Sequence, residues 1–417
     1  MTVDRALSRG VRLALGLAVV VVFVGIVAWR GGPALDDAYG VVRPTTALSH
    51  GDLVATARAE TLPQPPGYPL LAAPLVAALR PVLGSPTWCD DQVPTALRGF
   101  VPACRSHATP WYRSQALLGI LAWIALVAGC VRLLRVAGAG GGWAEVFLVA
   151  VLAVMPAASD GIVETFHPQD LVCVGLIAAA VAEALRRRWV ATGVLFGAAF
   201  ACKQFAILPL LAVVTAAPGW RERGRVLASA AAVVACVVLP FYVADPAATI
   251  RTLDAVDAAG ITSLSGGTLL GKSALSVSDK LLVARDGPIL LAAALCLWAR
   301  WRARHLLLAP VALIGLVAAC LAARLVGEVW FASYYLLAVS AMLVILDLAA
   351  RRLPWRSLAW IAVTGVLVES AGGNPTSDVG AVLSLMAAIV AVIFGLSVLP
   401  ADLSGQRRAS PATSIPR

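Results

Sequence analysis

The chain has 417 residues, 60% hydrophobic and 13% charged, with a formal net charge of +10. Soluble domains carry about 25% charged residues, whereas here apolar runs of membrane-spanning length recur from end to end, which argues for a polytopic membrane protein. The runs are too long for strands and lack period-two alternation, which argues against a membrane barrel.

The positive charge gathers in short links between apolar runs: Arg132 and Arg135, Arg186 to Arg188, Arg221 to Arg225, Arg300 to Arg304, Arg351 to Arg356, and Arg407 with Arg408. That pattern is a topology signal, with attraction to anionic inner-leaflet lipid as a mild addition. No basic stripe interleaves with aromatics, so nucleic acid is not an expected partner.

In chain order, a basic N-terminus precedes a first span over about Val11 to Trp29, read as uncleaved. Arg30 to Arg113 is then an outer loop. It holds DDAYG, the turn-rich PQPPGYP, a short apolar segment read as interfacial or re-entrant, and Cys89 with Cys104. In an outer loop a disulfide between those cysteines is compatible with the sequence. Further spans cover about 115–134, 143–157 and 171–186. The stretch 189–217 has Lys203 near its middle and is read as two short spans meeting at an outer turn, because a lone Lys at bilayer mid-depth is costly. A span over 226–242 leads to a second large outer segment, Val243 to Asp286. Spans over about 288–299, 306–323, 330–348, 358–368 and 379–399 precede a polar tail from Pro400. The fold class is all-α and polytopic, with about twelve membrane-spanning helices forming one domain over 1–399 and a disordered cytoplasmic tail over 400–417.

On this topology Asp36, Asp37, Asp52, Glu60, Glu164, His167, Asp170, Lys203, Lys272, Arg324 and Glu328 share the outer side. Asp36 and Asp37 stand just past the first span. A carboxylate there can take the proton of an attacking hydroxyl, and a second can orient the acceptor or raise the first group's proton affinity. The alternative is an acidic pair that starts a helix. His167, in FHPQDL, can hold a phosphate oxygen, or with Asp170 it can simply mark a helix start. Lys203 interrupts an apolar run, which points to function; a snorkelling side chain is the alternative. Arg324 can clamp a phosphate or pair with Glu328 one turn on. Trp330, Phe331, Tyr334 and Tyr335 suit a sugar or lipid platform, or an interfacial belt. Lys272, in GGTLLGKS, matches a phosphate loop incompletely and lacks its strand–loop–helix setting, so a nucleotide site is rejected. There is no HExxH, paired CxxC or GxSxG. No cofactor is expected, although a divalent cation on Asp36 or Asp37 is compatible with the sequence.

These elements together resemble the GT-C glycosyltransferases, the multispan class that uses polyprenyl-phosphate sugars. DDAYG after the first span is similar to the Asp-containing first outer loop of that class, and PPGYPLL to its proline-rich juxtamembrane segment. HPQDLVCVGLIAAAVAEALRRRWVATGVLFGAAFACKQFAILPLL is similar to the core of bacterial polyprenyl-phosphate-mannose-dependent α-mannosyltransferases. The resemblance implies an inverting transferase that moves a sugar, first of all mannose, from a polyprenyl-phosphate donor to a glycolipid or lipoglycan hydroxyl. It implies a plasma-membrane monomer with its active site on the extracytoplasmic side, Asp36 as base with Asp37 as alternative. His167, Lys203, Arg324, Lys272 and Tyr335 are candidates for the donor side. Residue usage rich in Ala, Arg, Gly and Val fits an actinobacterial envelope. A transporter or flippase for a lipid-linked or anionic solute is the rival reading.

Overall fold

The computed structural model describes residues 9–30, 35–58, 65–83, 102–163, 167–253, 270, 273–327, 333–370, and single positions at 385, 389, 392 and 393. The described residues form helices and turns, with no strand among them. In order these are α1 (Arg9–Arg30), α2 (Leu35–Ser49), α3 (Leu53–Arg58), α4 (Gly67–Leu83), α5 (Pro102–Val136), α6 (Gly142–Val154), α7 (Pro156–Val163) and α8 (Pro168–Leu185). There follow α9 (Trp189–Cys202), α10 (Ile207–Ala216), α11 (Trp220–Ala244), α12 (Pro246–Leu253), α13 (Val277–Ala303), α14 (Pro310–Gly327), α15 (Leu337–Ala349) and α16 (Trp355–Ser370).

Proline sets several of these boundaries. A residue before proline is driven out of the helical region, while proline itself suits the first helical position. Met155 is extended (φ −65°, ψ 122°) between α6 and α7. Asp245 is extended (φ −153°, ψ 95°) between α11 and α12. His167 (φ −109°, ψ 56°) precedes Pro168 at the start of α8.

Among the described residues, four helical segments are long and apolar enough to cross a membrane: Leu118–Val136, Pro168–Leu185, Trp220–Ala244 and Ser278–Ala303. Shorter apolar helices include Trp189–Cys202, Gln204–Ala216, Pro310–Val326 and Leu336–Ala349. The central member is α8, 83% buried, whereas α11 and the Ser278–Ala303 segment are 22% and 18% buried. The outer helices thus keep apolar faces for lipid, and α8 keeps almost none.

Small residues bring the helices together, as expected where packing replaces the hydrophobic effect. A Cβ on Gly129 of α5 would overlap the Gly175 backbone of α8, and one on Gly175 would overlap Ala125. Gly193 and Gly197, one helical turn apart on α9, approach Val226 and Ala230 of α11 equally closely. These paired contacts advance in the same direction, so α9 and α11 run parallel. The intervening α10 therefore returns toward the start of α9, and Lys203 lies at a turn between two short helices. Arg300, near the end of α13, donates to the carbonyl of Thr215 at the end of α10.

Several boundaries differ from the sequence expectation. α5 begins at Pro102, well before 115, because the polar 102–113 stretch continues the helical path. α13 begins at Val277, inside the segment read as an outer loop, where Ser276 caps it by accepting from the Asp279 N–H. Within the expected span over 330–348, Ser333–Leu336 form a 3-10 turn that leads into α15. The expected span over 379–399 lies almost wholly outside the described residues, as do Cys89, Glu60, Glu164, Lys272, Glu328, Trp330 and Phe331. The expected Cys89–Cys104 disulfide therefore falls outside them too.

Candidate functional site

The sequence HPQD builds the floor of the site. Pro168 opens α8, which places Asp170 in the first helical turn, where a carboxylate is favoured by the exposed N–H groups. The His167 N–H donates to the Gly161 carbonyl of α7, and the Asp170 N–H to the His167 carbonyl at 3.0 Å. His167, Gln169 and Asp170 are all buried, at 1%, 0% and 1% exposure.

Three cationic or ionisable side chains converge on that one carboxylate. Lys203 Nζ lies 3.4 Å from Asp170 Oδ2. His167 Nδ1 lies 3.4 Å from the same oxygen. Arg324 Nη1 lies 3.8 Å from Oδ1. Lys203 and Arg324 meet the carboxylate as ion pairs rather than through aligned hydrogen bonds, and among the described residues neither Asp170 oxygen has a hydrogen-bonding partner. Lys203 and Arg324 come from far along the chain. Lys203 is extended (φ −158°, ψ 131°) at the end of α9, and Arg324 sits in the last turn of α14. Their side chains remain 14% and 12% exposed, against 2% for Asp170. One buried carboxylate thus faces two cationic side chains that are more accessible than it is.

Aromatic rings flank Arg324. The Arg324 guanidinium lies 4.1 Å from the Tyr335 ring centre and 4.5 Å from that of Phe205. Such contacts are worth about 0.5–2 kcal/mol each. Tyr335 meets Tyr334 edge-on at 4.7 Å, and Tyr334 stacks on His167 at 4.0 Å and 17°. Gln169 Nε2 donates to His167 Nδ1 at 2.9 Å.

The PPGYP segment closes one side. Pro65 to Pro69 are buried, and a Cβ on Gly67 would overlap the carbonyl of Ala201, two residues before Lys203. The proline-rich turn therefore seats the start of α4 against the end of α9. Among the described residues, the buried Tyr68 hydroxyl, Gln169 Oε1 and Gln204 Nε2 have no hydrogen-bond partner. α4 in turn packs along α2. Asp36 and Asp37 fall in the first turn of α2, and their side chains lie outside what is described.

Of the expected donor-side residues, the structure brings together His167, Lys203, Arg324 and Tyr335, while Lys272 lies outside the described residues. Arg324 pairs with Asp170, and Glu328, the helical-turn partner considered in the sequence, lies outside the described residues. The sequence places Asp170 on the outer side at a helix start and does not single it out as the centre of the site. Its position between HP and an apolar run was a signal, since a carboxylate buried there needs cations. Phe205, Gln169, Gln204 and Tyr68 carried no such signal. Among the described residues, no group of three or more His, Cys, Asp or Glu side chains could hold a metal.

Comparison with known proteins adds little. No protein-family profile and no curated protein matches the chain. Among solved structures it is similar to the apo crystal structure of the Archaeoglobus fulgidus oligosaccharyltransferase, with a TM-score of 0.45 and 13% identity. The similarity covers 97% of this chain and 59% of that one. A likeness this distant assigns neither family nor activity, and the chain spans well under two thirds of its neighbour.

Proposed function

We propose that the protein is a GT-C-like glycosyltransferase that moves a sugar, first of all mannose, from a polyprenyl-phosphate donor to a glycolipid or lipoglycan hydroxyl. The observation that supports this reading is the partly open pair of Lys203 and Arg324 over buried Asp170. Lysine and arginine side chains that converge from separate helices and stay partly exposed suit a phosphate.

In the proposed reaction, Asp36 or Asp37 takes the proton of the acceptor hydroxyl. The oxygen attacks the anomeric carbon as the bond from that carbon to the phosphate oxygen breaks. The leaving polyprenyl phosphate keeps the bonding electron pair, and Lys203 and Arg324 stabilise its added charge. A single displacement inverts the anomeric configuration. The reaction takes place at the extracytoplasmic face of the plasma membrane, in a monomer.

One observation favours the transport reading: α9 and α10 form an interrupted pair beside a buried charge cluster, a feature also found in transporters. The deciding experiment incubates membranes carrying the protein with radiolabelled polyprenyl-phosphate-mannose and endogenous lipid acceptors. Transfer that is lost in Asp36→Ala or Asp37→Ala supports the enzyme. No transfer by the unaltered protein, or full transfer by both variants, overturns it.

A further inference from the structure

A second charge cluster lies at the other end of α8. Glu183, in the last turn, is buried to 2% exposure. Three arginines reach its carboxylate from two separate parts of the chain. Arg132 of α5 pairs with Oε1, Arg186 does so at 3.3 Å, and Arg188 pairs with Oε2 at 3.5 Å. The turn that delivers two of them is itself constrained. Arg187 takes a left-handed φ of 59°, and the Arg188 N–H returns to the Glu183 carbonyl at 2.9 Å. Left-handed backbone is disfavoured for a residue with a side chain.

One carboxylate cannot use what three guanidiniums offer. Each arginine carries five N–H donors, and each meets Glu183 through one nitrogen. The cluster keeps two surplus positive charges. Its arginine side chains are 44%, 43% and 64% exposed, so the unused donors face outward. Nearby Arg135 differs: its guanidinium is matched by Glu145 through two bonds of 2.7 Å.

Apolar surface continues from the cluster toward the bilayer. On α9, Val190 and Val194 are 56% and 41% exposed just beyond Arg188. On α5, Ile124 is 46% exposed, about two turns before Arg132 on the same face. Both helices flank α8. A ligand that fits has an anionic phosphate at the cluster and a hydrocarbon chain along the helices.

We infer that Arg132, Arg186 and Arg188, held in place by Glu183, bind the phosphate headgroup of an anionic membrane phospholipid. The site is separated from Asp170 by most of the length of α8, about 20 Å at helical rise. It is independent of the reading given to the Lys203 cluster. Glu183 organises the donors and the exposed valines carry the acyl chain.

The test measures thermal unfolding of the purified full-length protein in detergent, titrated with phosphatidylglycerol, phosphatidylcholine or inorganic phosphate. Phosphatidylglycerol is expected to raise the melting temperature saturably, with the other two giving no comparable rise. An equal rise with phosphatidylcholine would mean no headgroup selection. An equal rise with inorganic phosphate would mean a free-anion site. Either result overturns the inference. Replacing all three arginines and Glu183 by glutamine removes the cluster without leaving a buried charge unpaired, and should weaken phosphatidylglycerol binding at least about tenfold. Arg135→Gln should leave it unchanged. Retained affinity in the quadruple variant overturns the site. Unaltered protein provides a measurement that does not depend on the variant folding: phosphatidylglycerol with a photoreactive acyl chain should label 121–136 or 186–197. Labelling confined to other segments would also overturn it.

Discussion

Lys203 and Asp170 lie 3.4 Å apart, one at the end of α9 and the other in the first turn of α8. The contact closes the turn between α9 and α10 onto the central helix. Removing one member of a buried ion pair typically costs about 3–5 kcal/mol. Arg324 still faces Asp170, so Lys203→Met should cost somewhat less, about 2–3 kcal/mol on that scale. Asp170→Asn combined with Lys203→Met should recover part of the loss. Unfolding of the purified variants in detergent gives the coupling; additive losses would show that the two side chains do not depend on each other.

Arg324 should not tolerate lysine. Its guanidinium lies beside two aromatic rings while pairing with Asp170, and an ammonium lacks the planar surface that stacks there. In the transferase assay, Arg324→Lys is expected to lower turnover by about 10²-fold, close to the loss for Arg324→Met. Near-normal turnover in the lysine variant would reduce the role of Arg324 to charge alone.

The seat of α4 can be tested with one methyl group. Gly67→Ala places a carbon against the Ala201 carbonyl, where backbone must shift. A loss of about 1–3 kcal/mol is expected, together with lower activity. Gly16→Ala is the control, because an added carbon there meets nothing within 4 Å. Comparable losses in both variants would point to helix chemistry rather than the contact.

Arg187→Gly should raise stability by up to about 1 kcal/mol, because glycine adopts the left-handed conformation at φ 59° without penalty. A lower melting temperature would mean that the Arg187 side chain contributes more than its backbone costs.

Sidedness follows from the parallel course of α9 and α11. Cysteines placed at 203 and 245 should react with a membrane-impermeant maleimide from one side of the membrane. A cysteine at 188 should react from the other. Labelling of 203 and 188 from the same side would overturn the hairpin at Lys203.

Much of the candidate site was legible because charge inside apolar sequence is costly and therefore conspicuous. His167, Lys203 and Arg324 stand out on that ground, Tyr335 stands out in an aromatic run, and the break at Lys203 follows from its charge. The partners were not legible. Asp170 meets Lys203 and Arg324 only when α8, the α9–α10 turn and α14 pack together, and sequence spacing contains none of that geometry. Helix ends followed proline and glycine where the neighbouring residues were apolar. They were misplaced where polar sequence continued a helix, as at Pro102 and Val277.

The burial of α8 bears on how the chain is assembled. A helix with so little surface for lipid depends on neighbouring helices for its place in the bilayer. Glu183 finds one arginine in α5, which is synthesised earlier, and two in the turn made immediately afterwards. Asp170 waits longer, because Arg324 arrives only with α14. One end of the helix can therefore be neutralised early during synthesis, while the other keeps an incomplete ion cluster until most of the protein has been made. Chains ending before α14 should be retained less well in the membrane than chains ending just after it.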